Sequence, residues 1–210
     1  MYKKTNIKIL RILIIFILLI LFTFISAYSY SNAVFKNISS SVLRLHVVAN
    51  SDSCEDQNLK LLVRDSIISY MNSLSESATS KEESISIVKK HEQDFCEIAR
   101  KVINENGYNY PVKIEIGNFY FPTKKYGDIS FPNGNYDALK IEIGSAKGKN
   151  WWCVMFPPLC FVDVTSGIVP GESKEIIENN LSSEEYTLIS NNEEIDIKFK
   201  FKIIEFFKSL

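Results

Sequence analysis

One stretch, Asn150, Trp151, Trp152, Cys153, Val154, Met155, Phe156, Pro157, Pro158, Leu159 and Cys160, constrains the fold of this chain more than any other. It holds both tryptophans, two of the four cysteines and two of the six prolines. Adjacent prolines fix φ and remove two backbone donors, so regular structure has to stop at Pro157 and Pro158. Cys153 and Cys160 flank that stop across a loop short enough to bridge. Two readings follow. In one, the segment is a buried aromatic corner stapled for stability. In the other, part of it is a recognition surface, because binding energy concentrates on tryptophan.

The N-terminus has the three-part layout of an export signal. Lys3, Lys4, Lys8 and Arg11 form a basic leader, and the run 12–25 is apolar apart from Thr23. Ser26, Ala27 and Ser29 follow, with Ala27 and Ser29 spaced like a signal-peptidase site. The apolar run is short beside the roughly 20 residues of a spanning helix. Residues 1–29 are therefore expected to be a signal peptide or a membrane anchor, outside the fold proper. The remainder, 30–210, is expected to be a single extracytoplasmic domain, weakest in signal after 165. It carries 20 basic against 25 acidic residues, since the leader takes four of the 24 basic residues and no acidic one. That balance argues against nucleic acid as a partner, and against the membrane except through the N-terminal segment.

In an oxidising compartment the four cysteines can pair, and three connectivities are open. Cys153 with Cys160 is the preferred candidate; Cys54 with Cys96 requires two predicted helices to be neighbours. A zinc site is disfavoured, because the sequence has no C-x-x-C and His46 and His91 lie far from every cysteine.

Residues 42–49 alternate as a half-buried strand, Leu43, Leu45, Val47 and Ala49 inward, with Arg44 and His46 toward solvent. Ser53 with Asp56 three residues on starts a long amphipathic helix over 54–74. Ser80 with Glu83 starts a second, running to a stop at Gly107. From Val112 the period becomes two. Asn133-Gly134 predicts a hairpin joining 129–131 to 136–143. Short helices are expected over 172–181 and 203–210, and a strand over 195–201. The predicted class is α+β: an antiparallel or mixed sheet with two long amphipathic helices on one face.

The chain contains no G-x-S-x-G, H-E-x-x-H, P-loop or G-x-G-x-x-G pattern. Asp52 and Asp56, with His46, are the candidates for a secreted hydrolase or metal-dependent enzyme, the alternative class. The cluster lacks the glycine and bidentate glutamate of a calcium loop, and helix capping explains it without a metal. On that reading Asp56→Asn costs about 1 kcal/mol or less. Arg64 and Asp65 form either a surface ion pair or part of a recognition face. Tyr126 and Lys124, beside Phe119, Tyr120 and Phe121, are the candidates to join Trp151 and Trp152 in a partner-binding patch.

Taken together, these segments resemble the stage II sporulation protein R family. The resemblance runs in order from about 43 to 163. Its first motif is Arg44-Leu45-His46-Val47-Val48-Ala49-Asn50-Ser51-Asp52-Ser53, with Asp56-Gln57 and Val63-Arg64-Asp65. Phe121-Pro122-Thr123-Lys124 with Tyr126-Gly127 is the second, and residues 132–138 lead to the last, which spans Gly148 to Phe161. Cys54 and Cys96 stand outside the pattern. The resemblance implies a signalling protein, not an enzyme, with no cofactor. It also implies export across the forespore membrane into the intermembrane space, secreted or N-terminally anchored. Its implied partner is the extracytoplasmic face of a membrane-embedded mother-cell aspartic protease, which processes the sigma-E precursor during endospore formation. No catalytic or metal-binding residue is implied.

Overall fold

A computed structural model describes residues 2–74, 78, 80–160 and 169–190. The chain runs α1 (Tyr2–Ser40), β1 (Leu43–Val48), α2 (Cys54–Leu74), α3 (Lys81–Lys90), α4 (Glu92–Glu105), β2 (Val112–Phe121), β3 (Lys124–Tyr126), β4 (Ile129–Phe131), β5 (Gly134–Ile143), β6 (Asn150–Phe156), α5 (Gly171–Asn180) and α6 (Ser183–Ser190). This is the predicted α+β class with a mixed sheet. Its four main strands take the order β2-β5-β1-β6, with β1 parallel to β5 and antiparallel to β6, and β2 antiparallel to β5. The predicted helix starts hold at the atomic level: Asp56 N–H donates to Ser53 Oγ at 3.1 Å, and Glu83 N–H to Ser80 Oγ at 3.2 Å.

Side-chain parity sorts the sheet into two faces. Leu43, Leu45 and Val47 of β1, Leu139, Ile141 and Ile143 of β5, and Cys153 and Met155 of β6 pack with Leu59, Val63 and Ile67 of α2 and Phe95, Ala99 and Ile103 of α4. On the reverse face Ala138, Tyr136 and Val154 join Phe121, Ile129, Phe131, Ile38 of α1, Ile177 of α5 and Ile189 of α6. Each residue of β1 therefore has a covered side, whichever way it points.

That second layer overturns the half-buried reading of β1. All six residues of the strand are buried. Arg44 and His46 point away from the long helices, as alternation requires, but into the second layer instead of solvent. Alternating polarity cannot distinguish a wet face from one covered by a polar-aromatic lining.

Three further expectations change. The second amphipathic segment divides at His91, whose φ of −108° leaves the helical region. There His91 Nδ1 lies 2.7 Å from Asp94 Oδ2, which also accepts from Tyr70 Oη at 2.8 Å. The hairpin predicted at Asn133-Gly134 is absent: β4 pairs with β3, and β5 pairs with β2 and β1. The tight turn is Gly127-Asp128, between the paired Tyr126 and Ile129, with Gly127 at φ 56°. A two-residue hairpin needs that positive φ. Finally, α1 does not stop near residue 29. It continues to Ser40, packs Val34 and Ile38 into the second layer, and bonds Asn37 Nδ2 to Glu185 Oε1 at 2.8 Å. It is one helix long and apolar enough to cross a membrane, which fits a signal or an anchor. The strand and helix expected over 195–201 and 203–210 lie outside the described residues.

Candidate functional site

The polar run after β1 is a clamp on the loop that leads into β6. Asn50 Oδ1 accepts from Ser145 N–H at 2.9 Å, and Asn50 C=O accepts from Ser145 Oγ at 2.8 Å and Lys147 N–H at 3.2 Å. Gly148 N–H reaches Ala49 C=O at 2.9 Å, and Lys149 N–H reaches Asp52 Oδ1 at 2.7 Å. Gly148 sits so close to the Ser51 carbonyl that a Cβ there would overlap it. Lys60, 4% exposed, donates to Gln57 Oε1 at 2.6 Å and to Lys149 C=O at 3.1 Å, closing the clamp from α2. Burial holds its ammonium below the ordinary lysine range, and Arg64 adds to the effect.

Asp56 is the centre of the clamp. It is 4% exposed, and its Oδ2 accepts from Ser51 Oγ at 2.5 Å and Asn50 Nδ2 at 2.8 Å. Burial opposes its ionisation, but hydrogen bonds from Ser51, Asn50 and Tyr110 prevail and hold the carboxyl below its usual value. The capping account is therefore incomplete. Ser53 is the cap, whereas Asp56 is a buried acceptor joining the start of α2 to the end of β1.

His46 extends the clamp to β6. Its Nε2 lies 2.8 Å from Asn150 Oδ1, and its ring stacks on Trp152 with centroids 3.7 Å apart. Burial lowers its pKa to about 4, the Asn150 bond pulling weakly the other way, so the ring is neutral at pH 7. The residues proposed for hydrolase or metal chemistry are thus engaged by different partners: Asp52 by Lys149, Asp56 by Ser51 and Asn50, and His46 by Asn150. No group of three or more His, Cys, Asp or Glu among the described residues can hold a metal ion.

Alternation along β6 sends the two tryptophans to opposite faces. Trp151 packs with the helix-side cluster, and the Arg64 guanidinium lies 4.1 Å from its ring centroid. Arg64 also pairs with Asp65 Oδ1, at 2.7 Å from Nε. Trp152 faces the second layer, edge-on to Phe121 at 4.7 Å. Tyr126 reaches it from β3, donating to Trp152 C=O at 3.1 Å and accepting from Arg44 Nη2 at 2.8 Å. Lys124, half-buried, lies two residues before Tyr126 in β3. The fold therefore brings Trp152 and Tyr126 together, places Lys124 on the same strand as Tyr126, and sends Trp151 to the opposite face of β6 from Trp152. Both tryptophans are half-buried. Cys153 and Cys160 form a disulfide with Cα atoms 5.1 Å apart, while Cys54 and Cys96 are free thiols.

Sequence reasoning did not anticipate Arg44 as a site residue. It is fully buried, with its guanidinium carbon 4.2 Å from the Phe121 centroid and 4.7 Å from that of Tyr136. Its Nε and Nη1, like His46 Nδ1, have no hydrogen-bond partner among the described residues. The available signal was the spacing of Arg44 and His46 in a strand otherwise built for the core.

Comparison with known proteins places this architecture. The sequence model described as Stage II sporulation protein R matches residues 39–166, from the end of α1 through β6 and beyond. Stage II sporulation protein R of Bacillus subtilis (strain 168) is 32% identical, over 82% of this chain and 83% of that protein. No solved structure matches. The resemblance read from the motifs is thereby shown over most of the chain, and with it a role in sporulation: the chain belongs to the stage II sporulation protein R family.

Proposed function

We propose that this chain is an exported forespore signal whose extracytoplasmic domain activates a membrane-embedded aspartic protease of the mother cell. The protease then processes the precursor of sigma factor E. Residues 30–210 act as one domain in the space between the two membranes, and residues 1–29, which include the apolar first part of α1, serve as the export signal or anchor. The observation that carries the reading is how the family-like first motif is used. Asn50, Ser51, Asp52, Asp56 and Gln57 spend their polar atoms on internal hydrogen bonds that fix the loop into β6. Such a motif builds and holds a shape, which is what a ligand needs; a hydrolytic centre needs a carboxylate or imidazole poised toward a substrate.

The test is genetic and biochemical. Deleting the gene is expected to stop precursor processing while the protease is still present at normal level. Co-producing the full chain with protease and precursor in a non-sporulating host is expected to restore cleavage. Processing that continues at the wild-type rate in the deletion strain refutes the reading.

A further inference from the structure

We propose that Arg44 is a binding site for a carboxylate side chain of the partner, reached beside Tyr126 and Trp152. The inference rests on the signalling function above and names the chemistry of the contact. Arg44 lies in the central strand β1 and is 0% exposed. None of the ion pairs among the described residues includes it. Among them its Nη2 donates to the neutral Tyr126 hydroxyl and the Tyr136 hydroxyl interacts with the same guanidinium, while Nε and Nη1 are left unpaired. The surroundings are aromatic: Phe121 and Tyr136 lie against the guanidinium, and His46 follows two residues on along the same face.

Ring faces compensate a buried cation only in part, and guanidinium N–H groups without acceptors are costly away from water. A methionine of similar length fills such a space without that cost, and replacing buried charge by packed apolar groups is often neutral or stabilising. Among the described residues Arg44 is therefore a buried cation with no anionic partner, held by ring faces and hydroxyls alone. Charge and geometry both select a carboxylate as the missing partner. One that takes the place of the Tyr126 hydroxyl on Nη2 also meets an unpaired nitrogen of the planar fork, giving a bidentate pair.

The route is defined by exposure. Phe121, Tyr136 and His46 are buried, whereas Tyr126 and Trp152 are half-buried and reach the surface. Lys124, on the same face of β3 as Tyr126, adds a second cation at that edge.

The experiment uses the full-length chain co-produced with protease and precursor, and reads cleavage per folded molecule. Arg44→Met is expected to melt no lower than the wild type and to process at least about tenfold more slowly. Arg44→Lys, which keeps the charge and loses the fork, is expected to fall between them. In parallel, each Asp and Glu of the protease's extracytoplasmic loops is changed to Asn or Gln. At least one is expected to slow processing by about tenfold with the wild-type chain, and to add little further loss when combined with Arg44→Lys. Folded Arg44→Met that processes within about twofold of wild type overturns the site. So does a scan in which no acidic position of the protease matters, whether or not Arg44→Met folds. A wild-type chain that triggers no cleavage at all overturns the signalling function itself, which separates the two failures.

Discussion

Changing Asp56 to Asn tests the clamp most directly, because it keeps the shape and removes the charge. The wild-type carboxylate accepts from Ser51 Oγ and Asn50 Nδ2 at 4% exposure, and the neighbouring Tyr110 hydroxyl also favours its charged form. A hydrogen bond to a charged group contributes about 1.5–3 kcal/mol against about 0.5–1.5 for a neutral pair, so each of these two bonds loses about 1 kcal/mol. Asparagine also places an NH₂ where donors converge. Relief from burying a charge offsets part of this, leaving a net loss of about 2 kcal/mol, well above the cost of a lost cap interaction. Both tryptophans lie in β6 and α1 has none, so their fluorescence follows urea unfolding of the domain in the detergent-solubilised full chain. The expected result is a lower midpoint with an unchanged slope. The pH dependence follows from the depressed carboxyl. Its contribution is complete above the ordinary value of 3.8 and disappears as pH falls through the lower folded value. The gap between wild type and Asp56→Asn should therefore be full at pH 7 and close only in strong acid. A difference below about 0.5 kcal/mol at pH 7 would show that these bonds do not hold the loop.

The remaining predictions concern neighbouring features. His46, with its pKa lowered from 6.5 to about 4, binds protons in the unfolded chain before it does so in the fold. Stability is then complete above pH 6.5 and falls toward pH 4 by about 3 kcal/mol, and melting of His46→Gln across that window should be visibly flatter. Trp152→Ala, which removes the His46 stack and the Phe121 edge contact, should cost about 3 kcal/mol in urea unfolding. Gly148→Ala forces a Cβ into the Ser51 carbonyl, so it should lower the thermal midpoint at least as much as Asp56→Asn. Mass mapping without reductant should recover Cys153 and Cys160 in one linked peptide, and Cys153→Ser should cost roughly 2–3 kcal/mol for so short a loop.

Much of this protein was legible in its residues. The caps at Ser53 and Ser80, the stop at Gly107, the long helix of α2, the period-two strands and the bridging of Cys153 to Cys160 are local properties. Each is set by backbone stereochemistry, capping atoms or loop length over a few residues, so the tertiary structure had only to accept them. The opposite facing of Trp151 and Trp152 follows from strand geometry in the same way. What surrounds a strand is not local. Arg44 and His46 alternate with apolar neighbours as solvent-facing residues do, and only the packing of β3, β4, α1, α5 and α6 over the reverse face made them buried. The choice of β4's partner depended on which edges of β5 were already occupied by β2 and β1, so a strong Asn133-Gly134 turn signal lost to long-range pairing. Asp56 reads as a capping residue from its position in the first turn of α2. It became a buried acceptor because Asn50 and Ser51 turn back onto it, held there by bonds from the loop 144–149 to Asn50 and Asp52, nearly a hundred residues away in sequence.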